Sequence, residues 1–138
     1  MSRFIEDVVL YLVNNSQRLQ VPSARLDFLP VSGDALAVWQ QENPKIEREY
    51  INGSKILQGQ FKVMLMAQED LTNSVVNLQA ISKLEDIGSD FEAMDNFQIS
   101  EKRVMIQCEA NMPTIVSREQ NGAVVYETTI TCYYKESK

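Results

Sequence analysis

The chain has 138 residues, of which 44% are apolar and 23% charged, with only 5 glycines and 4 prolines; such a length suits one domain that buries roughly two-thirds of its unfolded surface, with no long disordered tract. Thirteen basic side chains, scattered along the sequence, face 19 acidic ones for a net charge of −6, which argues against tight nucleic-acid binding through phosphate neutralisation. The lack of any histidine excludes His-based catalytic triads and His-containing zinc sites, and the two cysteines form no Cys-x-x-Cys.

Residues 2–14 place Phe4, Ile5, Val8, Val9, Leu12 and Val13 on a broad stripe ending at Asn14-Asn15, and predict an amphipathic first helix. Its longest apolar run, Val8 to Val13, is far shorter than the about 20 residues of a membrane span. The segment also lacks the parts of a signal peptide, so a cytoplasmic setting without membrane contact is expected. In residues 17–30, Val21-Pro22 and Leu29-Pro30 impose extended backbone and predict a connector anchored by Leu26, Phe28 and Leu29.

Leu36-Ala37-Val38-Trp39 reads as a short strand after Gly33-Asp34, and the polar run from Gln40 to Pro44 ends it. A hairpin follows, with residues 45–51 and 55–68 joined by Asn52-Gly53, the pair that suits both positive-φ positions of a type I′ turn. Its second strand is apolar on both faces around Phe61 to Ala67, which predicts a central strand covered by helix. Residues 70–87 carry Leu71, Val75, Leu78, Ile81 or Ser82, and Leu84 at helical spacing, with Asp70 as N-cap and Gly88 just past the C-terminus.

Residues 88–100 interleave Asp90, Glu92 and Asp95 with Phe91, Met94 and Phe97, and read as an acidic loop pinned by its aromatics. Residues 103–110 alternate Val104, Ile106 and Cys108 against Arg103, Gln107 and Glu109, a half-buried strand. A second hairpin spans 113–120 and 123–135 around Asn121-Gly122, and its last strand puts Val124, Tyr126, Thr128, Ile130, Cys132 and Tyr134 on one face. The order helix, strand, hairpin, helix, strand, hairpin predicts a single α+β domain over residues 1–138. Its sheet is mixed and mostly antiparallel, with two helices packed on one face.

No residues stand out for chemistry. Asp90, Glu92 and Asp95 lack the spacing and distal Glu of a calcium loop and read as a solvated loop. Glu47 with Glu49, and Glu6 with Asp7, are paired carboxylates with no sign of a pocket to raise a pKa. Gly53, Gly59 and Gly122 are isolated and form no phosphate loop. Tyr126, Tyr133 and Tyr134 have no basic groove beside them for stacking bases. Cys108 and Cys132 read as buried free thiols, the alternative being a disulfide between neighbouring strands. Trp39, Met64, Met66, Met105 and Met112 read mainly as core, but Met105 shares its parity with Arg103 and Gln107. With Met64 and Met66 it points to a partly covered sheet face that suits a subunit contact. No catalytic, cofactor or metal residues are assigned, and no enzyme activity or cofactor is expected.

Phe28-Leu29-Pro30, Gly33-Asp34-Ala35-Leu36-Ala37-Val38, Glu49-Tyr50-Ile51-Asn52-Gly53-Ser54 and Phe61-Lys62-Val63-Met64, followed by a helix with Leu78 and Ile81, resemble the minor capsid and tail terminator proteins of long-tailed bacteriophages and prophages. The resemblance extends loosely over most of the chain. It implies a structural virion protein in head–tail joining, which caps the tail tube as a homo-oligomeric six-membered ring around the DNA channel. The implied partners are further copies of the chain, the tail tube protein and head connector proteins, with DNA passing nearby and unbound. The implied location is the host cytoplasm during virion assembly and then the virion. A ring repeats one heterologous contact until it closes, and the sheet edges near residues 55–64 and 126–134 are the expected contact. Two rival readings are a small-molecule-binding or enzymatic α+β domain with a pocket lined by Trp39, Phe61 and Tyr126, and another tail completion or tube protein.

Overall fold

A computed structural model of the chain describes residues 3–21, 23–26, 35–40, 43–68, 75–118 and 123–137. In chain order the elements are α1 (Phe4–Asn14), α2 (Ser16–Leu19), β1 (Ser23–Leu26), β2 (Ala35–Gln40), β3 (Lys45–Glu49), β4 (Lys55–Gln68), α3 (Val75–Glu92), β5 (Phe97–Gln98), β6 (Arg103–Ala110), β7 (Thr114–Arg118) and β8 (Ala123–Glu136). The fold is α+β, as the order of elements in the sequence predicts.

The sheet is organised by its two 14-residue strands. β4 and β8 pair antiparallel over their whole length, from Lys55 opposite Glu136 to Gln68 opposite Ala123. Each then carries two short strands on its outer side. β3 lies against residues 55–58 of β4 and β2 against residues 61–65, while β6 lies against residues 130–136 of β8 and β7 against residues 124–127. β1 adds to β2 in parallel, the one parallel pairing among the described residues, and β5 adds to β6. The stretch expected to be a plain connector therefore contains both α2 and β1. Of its proposed anchors, Phe28, Leu29 and the side chain of Leu26 lie outside the described residues, as do Gly33, Asp34, Asp70, Leu71, Asn121 and Gly122.

Strand alternation puts one set of side chains under the helices. Leu57, Phe61, Val63 and Leu65 of β4 are buried there together with Val124, Tyr126, Thr128, Ile130, Cys132 and Tyr134 of β8. α1 and α3 cover this same face through aromatic contacts. Phe4 of α1 stacks on Tyr134 with ring centres 4.3 Å apart, and Phe61 meets Phe4 and, from α3, Phe91 edge-on. Gly59 makes the stack possible, since a Cβ there would lie 2.5 Å from Phe4 Cε2. Glu6 and Asp7 occupy the first turn of α1, where the helix dipole favours negative charge.

Three local expectations are overturned. The β3–β4 turn is not type I′: Gly53 N donates to Tyr50 O, Tyr50 N donates to Ser54 O, and only Gly53 (φ 90°) has positive φ within the turn. That is a three-residue loop with glycine at the left-handed position, and Asn52 Oδ1 accepts from Ser54 N and Oγ instead of adopting positive φ. Gly88 does not terminate α3, which continues to Glu92 because Phe91 still faces the core. The glycine is buried against β6, where a Cβ would sit 2.9 Å from that of Ala110. The supposed acidic loop is thus partly the last helical turn, with Asp90 and Glu92 on it. Finally, a bulge between Met105 and Gln107 shifts the alternation of β6. Arg103, Met105 and Cys108 consequently all point into the helix-covered side, and Met105 is core.

Candidate functional site

The sequence assigns no catalytic residues and points to the sheet edges as contact surfaces, so the candidate site is the margins of the sheet. The segments expected to be contact edges, residues 55–64 and 126–134, are corrected by the register: they pair with each other down the middle of the sheet, so their backbones are occupied. Among the described residues the outer strands are β1, β3, β5 and β7. β3 and β7 sit at diagonally opposite corners, because β3 borders residues 55–58 of β4 whereas β7 borders residues 124–127 of β8, which face residues 64–67.

The two corners differ in character. All five residues of β3 are exposed, with Ile46 54% exposed between charged neighbours, and Tyr50 and Ile51 are exposed at the adjoining turn. Lys45, Glu47, Arg48 and Glu49, with a bulge between Ile46 and Arg48, are features that protect an edge against indiscriminate pairing. Glu47 and Glu49 accordingly lie on an exposed edge. β7 is less charged: Ile115 and Val116 are 46% and 51% exposed, and exposed Met112 precedes them.

The sheet face away from the helices is mostly polar. Lys62 Nζ is 3.1 Å from Glu127 Oε1 and Gln60 Nε2 donates to Thr131 Oγ1, pairs set by the β4–β8 register. Trp39, opposite Lys62, is 39% exposed on this face. Beside it Ala37, Met64 and Val125 form a small second buried cluster. A partly covered face is therefore present, with Met64 in it and Met105 not; the side chain of Met66 lies outside the described residues. Trp39 is on the opposite face of the sheet from Phe61 and Tyr126, so these three line no common pocket.

A buried charge cluster at one end of the sheet is not legible in the sequence. Arg103 Nη1 lies 2.8 Å from Asp7 Oδ2, and its Nε lies 3.2 Å from Glu136 Oε2. Ser100 Oγ donates to the same Asp7 oxygen at 2.8 Å. Burial works against the Arg103 charge, but the hydrogen bonds and charges of Asp7 and Glu136 outweigh it and raise its pKa. Arg103 and Asp7 are 96 residues apart, and the β6 bulge makes the arginine look solvent-facing in the alternation. A cleft of about 240 Å³ opens beside the cluster, lined in part by Arg3, Gln40, Pro44, Leu57 and Tyr134. Its charged groups already have partners: Arg3 with Glu6, Arg103 with Asp7 and Glu136.

Of the acidic trio, Asp90 is held by Arg18 at 3.0 Å and accepts a hydrogen bond from the Tyr11 hydroxyl. Glu92 and Asp95 are exposed, and no group of three or more His, Cys, Asp or Glu side chains among the described residues could hold a metal ion. Cys108 and Cys132 are free, buried and directly opposite each other on β6 and β8. Among the described residues no helix is long and apolar enough to cross a membrane. No protein-family model matches the chain, and no curated protein is significantly similar to it.

Proposed function

We propose that the chain is a structural subunit that closes into a ring through its sheet corners, and that the ring is the cap of a phage tail tube at the head–tail joint. The observation that carries the first part is the pair of unlike outer strands, β3 and β7, at opposite corners of one sheet, each with exposed apolar residues. A contact between the β3 corner of one copy and the β7 corner of the next is heterologous, and a heterologous contact repeated with a constant rotation gives a closed ring or an open filament. Edge pairing supplies backbone hydrogen bonds, while Ile46 on one side and Ile115 with Val116 on the other supply the apolar part.

The phage context is supported by the sequence resemblance around the β3–β4 turn and the first half of β4, and by charge. A subunit with net charge −6 gives a channel that repels the phosphate backbone, so DNA slides through without being held. Assembly of this kind needs no catalytic group.

Negative-stain electron microscopy of the purified protein, alone and mixed with isolated tail tubes, tests the reading. Six-fold rings, free or seated on tube ends, are the expected images. Monomers in both samples, with bare tube ends, would overturn it.

A further inference from the structure

We propose that Cys108 and Cys132 form a dithiol that closes into an intramolecular disulfide when the protein meets an oxidising thiol–disulfide environment. The two residues are Cα partners in the antiparallel β6–β8 pairing, and such partners lie about 4.5–5.5 Å apart at Cα, within the range of about 4.4–6.8 Å that a disulfide spans. Their sulfurs face each other at 2.8 Å, nearer than two sulfurs in ordinary van der Waals contact. The geometry depends on the bulge at Ile106, which turns Cys108 to the side on which Cys132 already points.

The surroundings decide when the bond forms. Both thiols are buried, and burial, followed by the hydrogen bond and charge of Cys108, raises the Cys132 thiol far above its ordinary range. In the closed sheet both thiols are shielded and Cys132 holds its proton, so the reaction runs while β6 is parted from β8, during folding or local opening. One thiol gives up its proton, and the thiolate attacks a small-molecule disulfide, forming a mixed disulfide and releasing one thiolate. The second cysteine, deprotonated in turn, attacks the protein-side sulfur of the mixed disulfide. The bridge forms, the second small-molecule thiolate leaves, and the two departing thiolates take up the two protons. The protein pair is oxidised by two electrons and the disulfide reagent is reduced to two thiols.

Closing the bond ties β6 to the central strand β8 around a loop that contains β7. If the chain is a virion part, it is reduced in the host cytoplasm and bridged once released. That consequence rests on the proposed assembly role; the bond itself does not.

The test is refolding of the reduced, full-length chain in a glutathione buffer with the disulfide form in excess, followed by acid quenching, alkylation under denaturing conditions and intact-mass measurement. The expected product is two hydrogens lighter than the reduced chain, takes up no alkyl group and runs as a monomer without reductant. Its Tm lies roughly 10 °C above that of the reduced form. Two alkylated thiols, a retained glutathione adduct or a disulfide-linked dimer would each overturn the proposal. Cys108→Ser serves as control and must never show the two-hydrogen loss. Ring formation is scored separately in reducing buffer, so failure of either idea leaves the other standing.

Discussion

Replacing Arg103 by methionine keeps most of the side-chain volume and removes the positive centre of the buried cluster. The side chains of Arg103 and Asp7 are each only 7% exposed, and their contact is 2.8 Å, whereas Glu136 is 32% exposed and turns to water once released. After the change the Asp7 carboxylate keeps the Ser100 hydroxyl but loses its counter-charge. Breaking a buried pair by removing one partner costs about 3–5 kcal/mol, while the more exposed Glu136 contact adds at most about 1 kcal/mol. For a domain of this size that corresponds to a fall in Tm of about 12–20 °C. Pairing Arg103→Met with Asp7→Leu removes both buried charges and restores about 2–3 kcal/mol of the summed loss, because neither charge is left uncompensated. Urea unfolding followed by circular dichroism at pH 7 on wild type, both single variants and the double variant gives the coupling energy, expected at about 2–3 kcal/mol. A loss below about 1 kcal/mol for Arg103→Met, or a double variant as damaged as the sum of the singles, would refute the reasoning.

Gly59→Ala drives a methyl group into the Phe4–Tyr134 stack and is expected to lower stability by about 1–3 kcal/mol, read from chemical denaturation. Gly88→Ala gains helix propensity but presses on Ala110 across the α3–β6 contact, for a net loss of about 1 kcal/mol that Ala110→Gly in the same chain relieves. Burial, then the hydrogen bond to Asp90 and its charge, push Tyr11 up to about 12 from 10.0. The folded state thus holds this proton more tightly than the unfolded state, and the associated stability is intact below pH 10 and is lost as the pH rises from 10 towards 12. Burial also raises Tyr134, so alkaline melting curves should be shallower in Tyr11→Phe than in wild type but not flat.

The strongly periodic parts of the fold were legible in the sequence. β8 alternates cleanly from Val124 to Tyr134, and its buried face matches that alternation residue for residue; the two-sided apolar run of β4 marks its place in the centre of the sheet. What escaped depended on contacts between distant segments. One extra residue at Ile106 reverses the parity of β6 upstream, hiding Arg103 and Met105 among residues that look exposed. Gly88 reads as a helix end because local sequence does not reveal that Ala110 needs the space. The pairing of β1 with β2 is parallel and short, and nothing local to residues 23–26 announces it. The candidate interface was misplaced for the same reason. Periodicity identifies strands, but only the register shows that β4 and β8 shield each other and leave β3 and β7 outside.

The central claim is a heterologous contact between the β3 and β7 corners, and mixing two blocked variants tests it directly. Ile46→Asp spoils the β3 corner and Val116→Asp the β7 corner, each at an exposed position. Sedimentation analysis should find rings in the wild type and monomers in either variant alone. An equimolar mixture should stop at dimers, since only one intact corner of each kind remains. Rings persisting in both variants, or self-association of one variant alone into dimers, would contradict the account.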